Sequence, residues 1–109
     1  MNTYDIVIKF VTEVAKVAEV SDTVTNALMT HIRTYLAQNP LVTSTELLQI
    51  MVTVERIIRD NTEAFVSFEL FPNVFTAIVI FNDGQENEEQ VNITCPMEGE
   101  MQVVHFKSN

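Results

Sequence analysis

Residues 64–81, AFVSFELFPNVFTAIVIF, are the most apolar and β-prone run of the chain. Their alternation predicts two strands folded back on each other. Phe71-Pro72-Asn73-Val74 is a turn signal, because proline holds φ near about −65° and asparagine tolerates the left-handed region. Proline is excluded from the primed turns of tight two-residue hairpins, so the pattern predicts a four-residue loop closing on Leu70 opposite Phe75. In that register Val66, Phe68 and Leu70 share a face with Phe75, Ala77, Val79 and Phe81, and the face is wholly apolar. The other face carries Phe65, Ser67, Glu69, Phe71, Val74, Thr76, Ile78 and Ile80, too apolar to stand fully wetted. A one-residue slip would exchange the two sets, so the pattern itself selects the register.

Upstream of the hairpin the period changes to that of helices. Residues 3–20 confine Asp5, Lys9, Thr12, Glu13 and Lys16 to a narrow polar stripe and leave a wide apolar surface, Ile6, Val7, Ile8, Phe10, Val11, Val14, Val17 and Ala18. Such a helix needs cover on more than one side, which places it centrally, between the sheet and a second helix. Its β-branched residues favour a strand at residues 5–11 as the alternative. Ser21-Asp22 starts a second helix with apolar positions Val24, Leu28, Ile32, Tyr35 and Leu36, ended by Asn39-Pro40. Thr43-Ser44-Thr45-Glu46 is a capping box, with Val42 and Leu47 as its hydrophobic staple. The third helix then runs to about Asp60, with Leu47, Ile50, Met51, Val54, Ile57 and Ile58 on one face. Leu48 and Val52 fall outside that arc and call for a second contact.

After the hairpin, residues 82–89 form a polar acidic loop containing an Asp-Gly turn. Residues 90–96 and 100–107 predict two shorter strands. With an even connection between them, Val91, Ile93 and Cys95 share a face with Gln102, Val104 and Phe106, while Met101, Val103 and His105 lie opposite. The expected fold is α+β: three N-terminal helices packed on one face of a four-stranded antiparallel meander. It is a single domain over residues 1–109, with a helical half (1–61) and an acidic sheet half (62–109).

Charge adds to this picture because it is uneven. The formal net charge is −9. Up to Arg59 six acids meet five bases, a net of −1; from Asp60 onward nine acids meet Lys107 alone, a net of −8. Direct nucleic-acid binding is disfavoured, because neutralising phosphates takes clustered lysine and arginine. An acidic surface favours a basic protein partner. No apolar stretch approaches the roughly 20 residues of a membrane span. The N-terminal MNTYDIVIKF lacks the features of a signal peptide, and a lone Cys95 suits a reducing compartment. The expected location is therefore cytoplasmic.

Candidate chemistry is sparse. Cys95 and His105 suggest a nucleophile and base, but the even connection sets them on opposite faces, so a buried inert thiol is the expectation. His31 and Tyr35, four residues apart, can touch along a helix edge. The loop at residues 83–89 has oxygens but not the spacing of a calcium loop, no zinc spacing occurs, and no cofactor or metal is expected. The function this supports is a non-enzymatic acidic interaction module, of inhibitor or nucleic-acid-mimic type, that occludes a basic partner surface through Asp83, Glu86, Glu88, Glu89, Glu98 and Glu100. The rival is a small enzyme or small-molecule binder with a pocket near His31, Tyr35 and Cys95. A homodimer is expected through Phe65, Phe71, Val74, Ile78 and Ile80, joined by Met101 and Val103, unless the first helix folds across that face.

Overall fold

A computed structural model describes residues 3–39 and 41–107. Within them three helices, α1 (Thr3–Val17), α2 (Asp22–Gln38) and α3 (Ser44–Asn61), precede four strands, β1 (Phe65–Phe71), β2 (Val74–Phe81), β3 (Glu89–Pro96) and β4 (Gln102–Lys107). The strands form one antiparallel sheet in the order β1-β2-β3-β4. This is the α+β arrangement expected, with the helices on one face.

Tertiary cover decides the ambiguous first segment in favour of helix. Ile6, Val7, Phe10, Val11, Val14 and Ala15 of α1 are all buried. The helix packs on α2 and lies across β2 and β3, so β-branched residues that weaken an isolated helix here contribute buried surface on two sides. Phe10 meets Phe68 edge-on at 5.9 Å and Phe75 at 5.8 Å between ring centroids. α1 therefore covers the Val79 side of the sheet and not the Ile78 side. It stops three residues earlier than the periodicity predicts. Glu19 adopts φ +64°, its N–H donates to the Lys16 carbonyl at 3.1 Å, and the Val20 N–H donates to the Ala15 carbonyl at 3.1 Å. That pair of bonds is a Schellman ending, with glutamate at the position that favours glycine.

The other helix boundaries follow their caps. Ser21 Oγ accepts from the Val24 N–H at 3.3 Å. Thr43 Oγ1 accepts from the Glu46 N–H at 3.2 Å, and Glu46 Oε2 accepts from the Thr43 N–H at 3.3 Å, completing the capping box. Asn39 closes α2 by donating its side-chain amide to the Tyr35 carbonyl at 2.9 Å; Pro40 lies outside the described residues. Leu48 and Val52 remain exposed, so the second contact expected for them is not made among the described residues.

The hairpin register is the predicted one, Leu70 opposite Phe75, but the turn is tighter than expected because Phe71 and Val74 also pair. Pro72 and Asn73 both keep negative φ, so the two-residue loop is not one of the primed turns that exclude proline. The second hairpin corrects the expected parity. Ile93 pairs with Val103 and Thr94 with Gln102, so the connection is odd and every β4 side chain sits on the face opposite to the one predicted. Val103 and His105 join Val91 and Ile93 on the helix side, whereas Val104 and Phe106 project on the reverse.

Candidate functional site

The register divides the sheet into two faces of different fate. On the helix side Val66, Phe75, Ala77, Val79, Val91, Ile93 and Cys95 are buried and Phe68, Leu70 and Phe81 pack against them. On the reverse side four cross-strand rows run over the sheet: Phe65-Ile80-Gln90-Phe106, Ser67-Ile78-Asn92-Val104, Glu69-Thr76-Thr94-Gln102 and Phe71-Val74-Pro96. Phe65, Phe71, Val104 and Phe106 are exposed there, and Val74, Ile78 and Ile80 are half-buried by their neighbours. The five expected interface residues do share this face. The two expected to join them do not, since Met101 and Val103 belong to the helix side and pack against the core. Asn92 sits among the apolar side chains of the second row, and its Oδ1 is shielded without accepting a hydrogen bond.

The six acidic candidates are not brought together. Asp83, Glu86 and Glu88 lie in the connection between β2 and β3, and Glu89 opens β3 at the same end. Glu98 and Glu100 lie between β3 and β4, at the far end of a strand of eight residues, roughly 27 Å away at about 3.4 Å per residue. What the sequence pattern did not reveal is that Asp60 and Glu63 belong with the first group. Phe65 pairs with Ile80, so the chain entering β1 and the chain leaving β2 share one end of the sheet.

Not all carboxylates at that end are equally available. Glu89 pairs with Lys107 at 3.5 Å and Arg59 approaches Asp60 at 3.8 Å, both in solvent, where such pairs contribute little. Glu88 is committed to its own loop. Its Oε1 accepts from the Gly84 N–H at 3.0 Å and its Oε2 from the Gln90 amide at 3.4 Å. The Gly84 bond, then the Gln90 bond, hold its carboxyl below the ordinary glutamate range. Gly84 itself adopts φ +77° in open space, and Asn82 adopts φ +55°, so the loop is built on two left-handed residues. Asp83 and Glu86 are exposed at its surface.

The residues of the rival pocket are dispersed. His31 and Tyr35 border a groove of about 280 Å³ between α2 and α3 with Ile32, Gln49, Ile50 and Thr53. Cys95 lies elsewhere, under the helices at 2% exposure, and burial pushes its thiol pKa up, only partly offset by Lys9. The odd connection does place Cys95 and His105 on one face, but His105 pairs with Val91, four residues from Cys95 along β3, roughly 13 Å. A second groove, of about 300 Å³, opens at the far end of the sheet between Leu47, Leu48, Leu70, Phe71, Phe75 and Met97. Among the described residues no three His, Cys, Asp or Glu side chains converge as metal ligands, and no helix is long and apolar enough to cross a membrane.

Comparison with known protein families, with curated proteins and with solved structures finds no match to this chain.

Proposed function

We propose that this chain is a non-enzymatic interaction module that binds and occludes a basic protein surface, acting in the cytoplasm as an inhibitor or nucleic-acid mimic. The observation that carries this reading is the concentration of negative charge where β1 begins and β2 meets β3: Asp60 and Glu63 on the approach to β1, with Asp83, Glu86, Glu88 and Glu89 from the β2–β3 connection and the start of β3, against Arg59 and Lys107. Like charges gathered on one pole raise the local field well beyond what the same charges dispersed would give. Complementary charge accelerates encounter with a cationic surface and disfavours nucleic acid itself. Glu98 and Glu100, at the other end of β3, form a separate and weaker acidic site.

Asp83, Glu86 and Glu89 are the side chains to neutralise, because changing Glu88 would also disturb the loop. Capture from source-cell lysate at low and high salt identifies the partner. Its association with the Asp83→Asn, Glu86→Gln, Glu89→Gln variant is then measured directly. The expected result is a slower, less salt-sensitive association with the fold unchanged. An unchanged rate and salt dependence would remove this end of the sheet from the binding surface.

A further inference from the structure

We propose that the reverse face of the sheet is a self-association surface on which a second copy of this chain packs face to face, the two-fold axis running across the strands. The surface is independent of the acidic end, and it is defined by area, by charge and by the order of its rows.

Phe65, Phe71 and Phe106 are 52, 47 and 52% exposed and Val104 is 46% exposed. With aromatic side chains burying roughly 150–250 Å² each, these four alone leave on the order of 350 Å² of apolar surface in water. Adding Val74, Ile78 and Ile80 brings the patch to the upper part of the roughly 300–600 Å² found on monomers. Four strands about 4.8 Å apart and some seven residues long span roughly 19 by 23 Å. That footprint of roughly 440 Å², enlarged by side-chain relief, is over half of the ~800 Å² per partner of a standard interface and suits a weak, reversible dimer.

Charge selects the occupant. Of the chain's 15 acids only Glu69 lies on this face, and no base does. A molecule carrying −9 thus keeps one face nearly neutral, so a charged partner gains no complementarity there, whereas an identical neutral face does not repel. Flat apolar sheet faces pack on one another about 10 Å apart with their strands roughly aligned.

The rows select the orientation. An axis lying between the sheets and across the strands stacks each strand on its own copy with its ends exchanged. Phe65 then meets Phe71 of the second copy, Ile80 meets its Val74 and Ile78 its Thr76, and in the β3 column Asn92 meets Thr94 while Gln90 meets Pro96. The two acidic loops are carried to opposite ends of the dimer. The alternative axis, along the strands, also makes two apolar pairings, Phe65 with Phe106 and Val74 with Pro96, but it brings both acidic loops to one end, so it loses on repulsion.

Sedimentation equilibrium on the full chain should show a dimer at tens of micromolar. Ile78→Lys should raise the dimer dissociation constant about a hundredfold or more, because it buries an unpaired charge, while far-ultraviolet circular dichroism stays native. If Ile78→Lys does not fold, Phe71→Glu, exposed at the hairpin end and facing Phe65 of the second copy, is read in its place. A wild type that stays monomeric, or a dimer indifferent to the folded variant, overturns the proposal. The orientation is read by mixing Phe65→Cys with Phe71→Cys in the presence of a short bis-maleimide, where cross-linked heterodimer is expected. Cross-linking of Phe65→Cys with Phe106→Cys instead overturns the axis.

Discussion

Val79 and Ile78 are neighbours on one strand and differ little in size or apolarity, yet Val79 is wholly buried under α1 and Ile78 keeps part of its side chain in solvent. They belong to faces of different make-up, one wholly apolar over β1 and β2 and the other interrupted by Ser67, Glu69 and Thr76. Apolar alternation therefore specifies which residues share a face, and the wholly apolar one is the face that receives the helices. The cover comes from α1, whose Phe10 meets both Phe68 and Phe75, and from α3, which packs along β1. β4 receives no comparable cover and is exposed along nearly its whole length.

The sharpest way to break the comparison is to place the same insult on each side. Phe10→Ala removes a ring with no solvent exposure and leaves a cavity among Phe68, Phe75 and their neighbours, and is expected to destabilise by about 3–5 kcal/mol. Phe106→Ala, on the open side, should cost the monomer less than about 1 kcal/mol, as surface substitutions usually do. Chemical denaturation of both variants, at concentrations low enough to keep the chain monomeric, checks the contrast. Equal losses would mean that the reverse face is as well packed as the covered one.

A smaller effect is expected at the end of α1, where the covered side is closed. Glu19 holds φ +64°, a conformation disfavoured for any residue bearing a Cβ. Glu19→Gly should therefore stabilise the fold by roughly 0.5–1 kcal/mol, the relief in the native state exceeding the added freedom of the unfolded chain. A rise in thermal midpoint is the measurement, and a fall would show that the ending tolerates glutamate without strain. Removing a cap does the opposite at the start of α3: Thr43→Ala forfeits the bond from the Glu46 N–H and should cost about 1 kcal/mol.

Much of this fold was legible in the sequence where a local rule had no competitor. The capping box at Thr43 and Glu46, the stop at Asn39 and the pairing of Leu70 with Phe75 all depend on residues close in the chain, and all stand as predicted. Helix or strand for residues 5–11 was ambiguous because propensity and periodicity disagree, and burial on two sides decided it. The β3–β4 register was missed for a physical reason. Residues 97–101 carry two glutamates and Gly99 but no turn dipeptide that sets loop length, and the face of β4 depends on whether that length is odd or even. Since β4 is uncovered, burial exerts little selection on its register, and its own pattern, Val103, Val104 and Phe106, reads almost equally well either way. The acidic grouping failed similarly: Glu63 and Asp83 lie far apart in sequence and come to one end of the sheet only through the pairing of Phe65 with Ile80.

The smallest effect belongs to the acidic end, where the loop from Asn82 to Asn87 is exposed throughout. Glu88 accepts hydrogen bonds from Gly84 and Gln90 in its charged form, so its carboxyl titrates below the ordinary glutamate range, which centres near about pH 4.3. Because the folded value is the lower one, the bonds support the loop above that range, and their support is lost as pH falls through the folded value. The carboxylate is open to solvent, so the consequence is local order and not global stability. Followed by nuclear magnetic resonance, the Gly84 amide shift should titrate with a midpoint below that of an ordinary glutamate, while the amides of Val79 and Ile93 on the covered face do not respond. In Glu88→Gln the titration should vanish from Gly84, and the loop amides should exchange faster with solvent. A Gly84 midpoint at the ordinary glutamate value would mean that the Glu88 bond does not persist in solution. The acidic end would then be a set of independent charges, with Glu88 as free to meet a basic partner as Glu86.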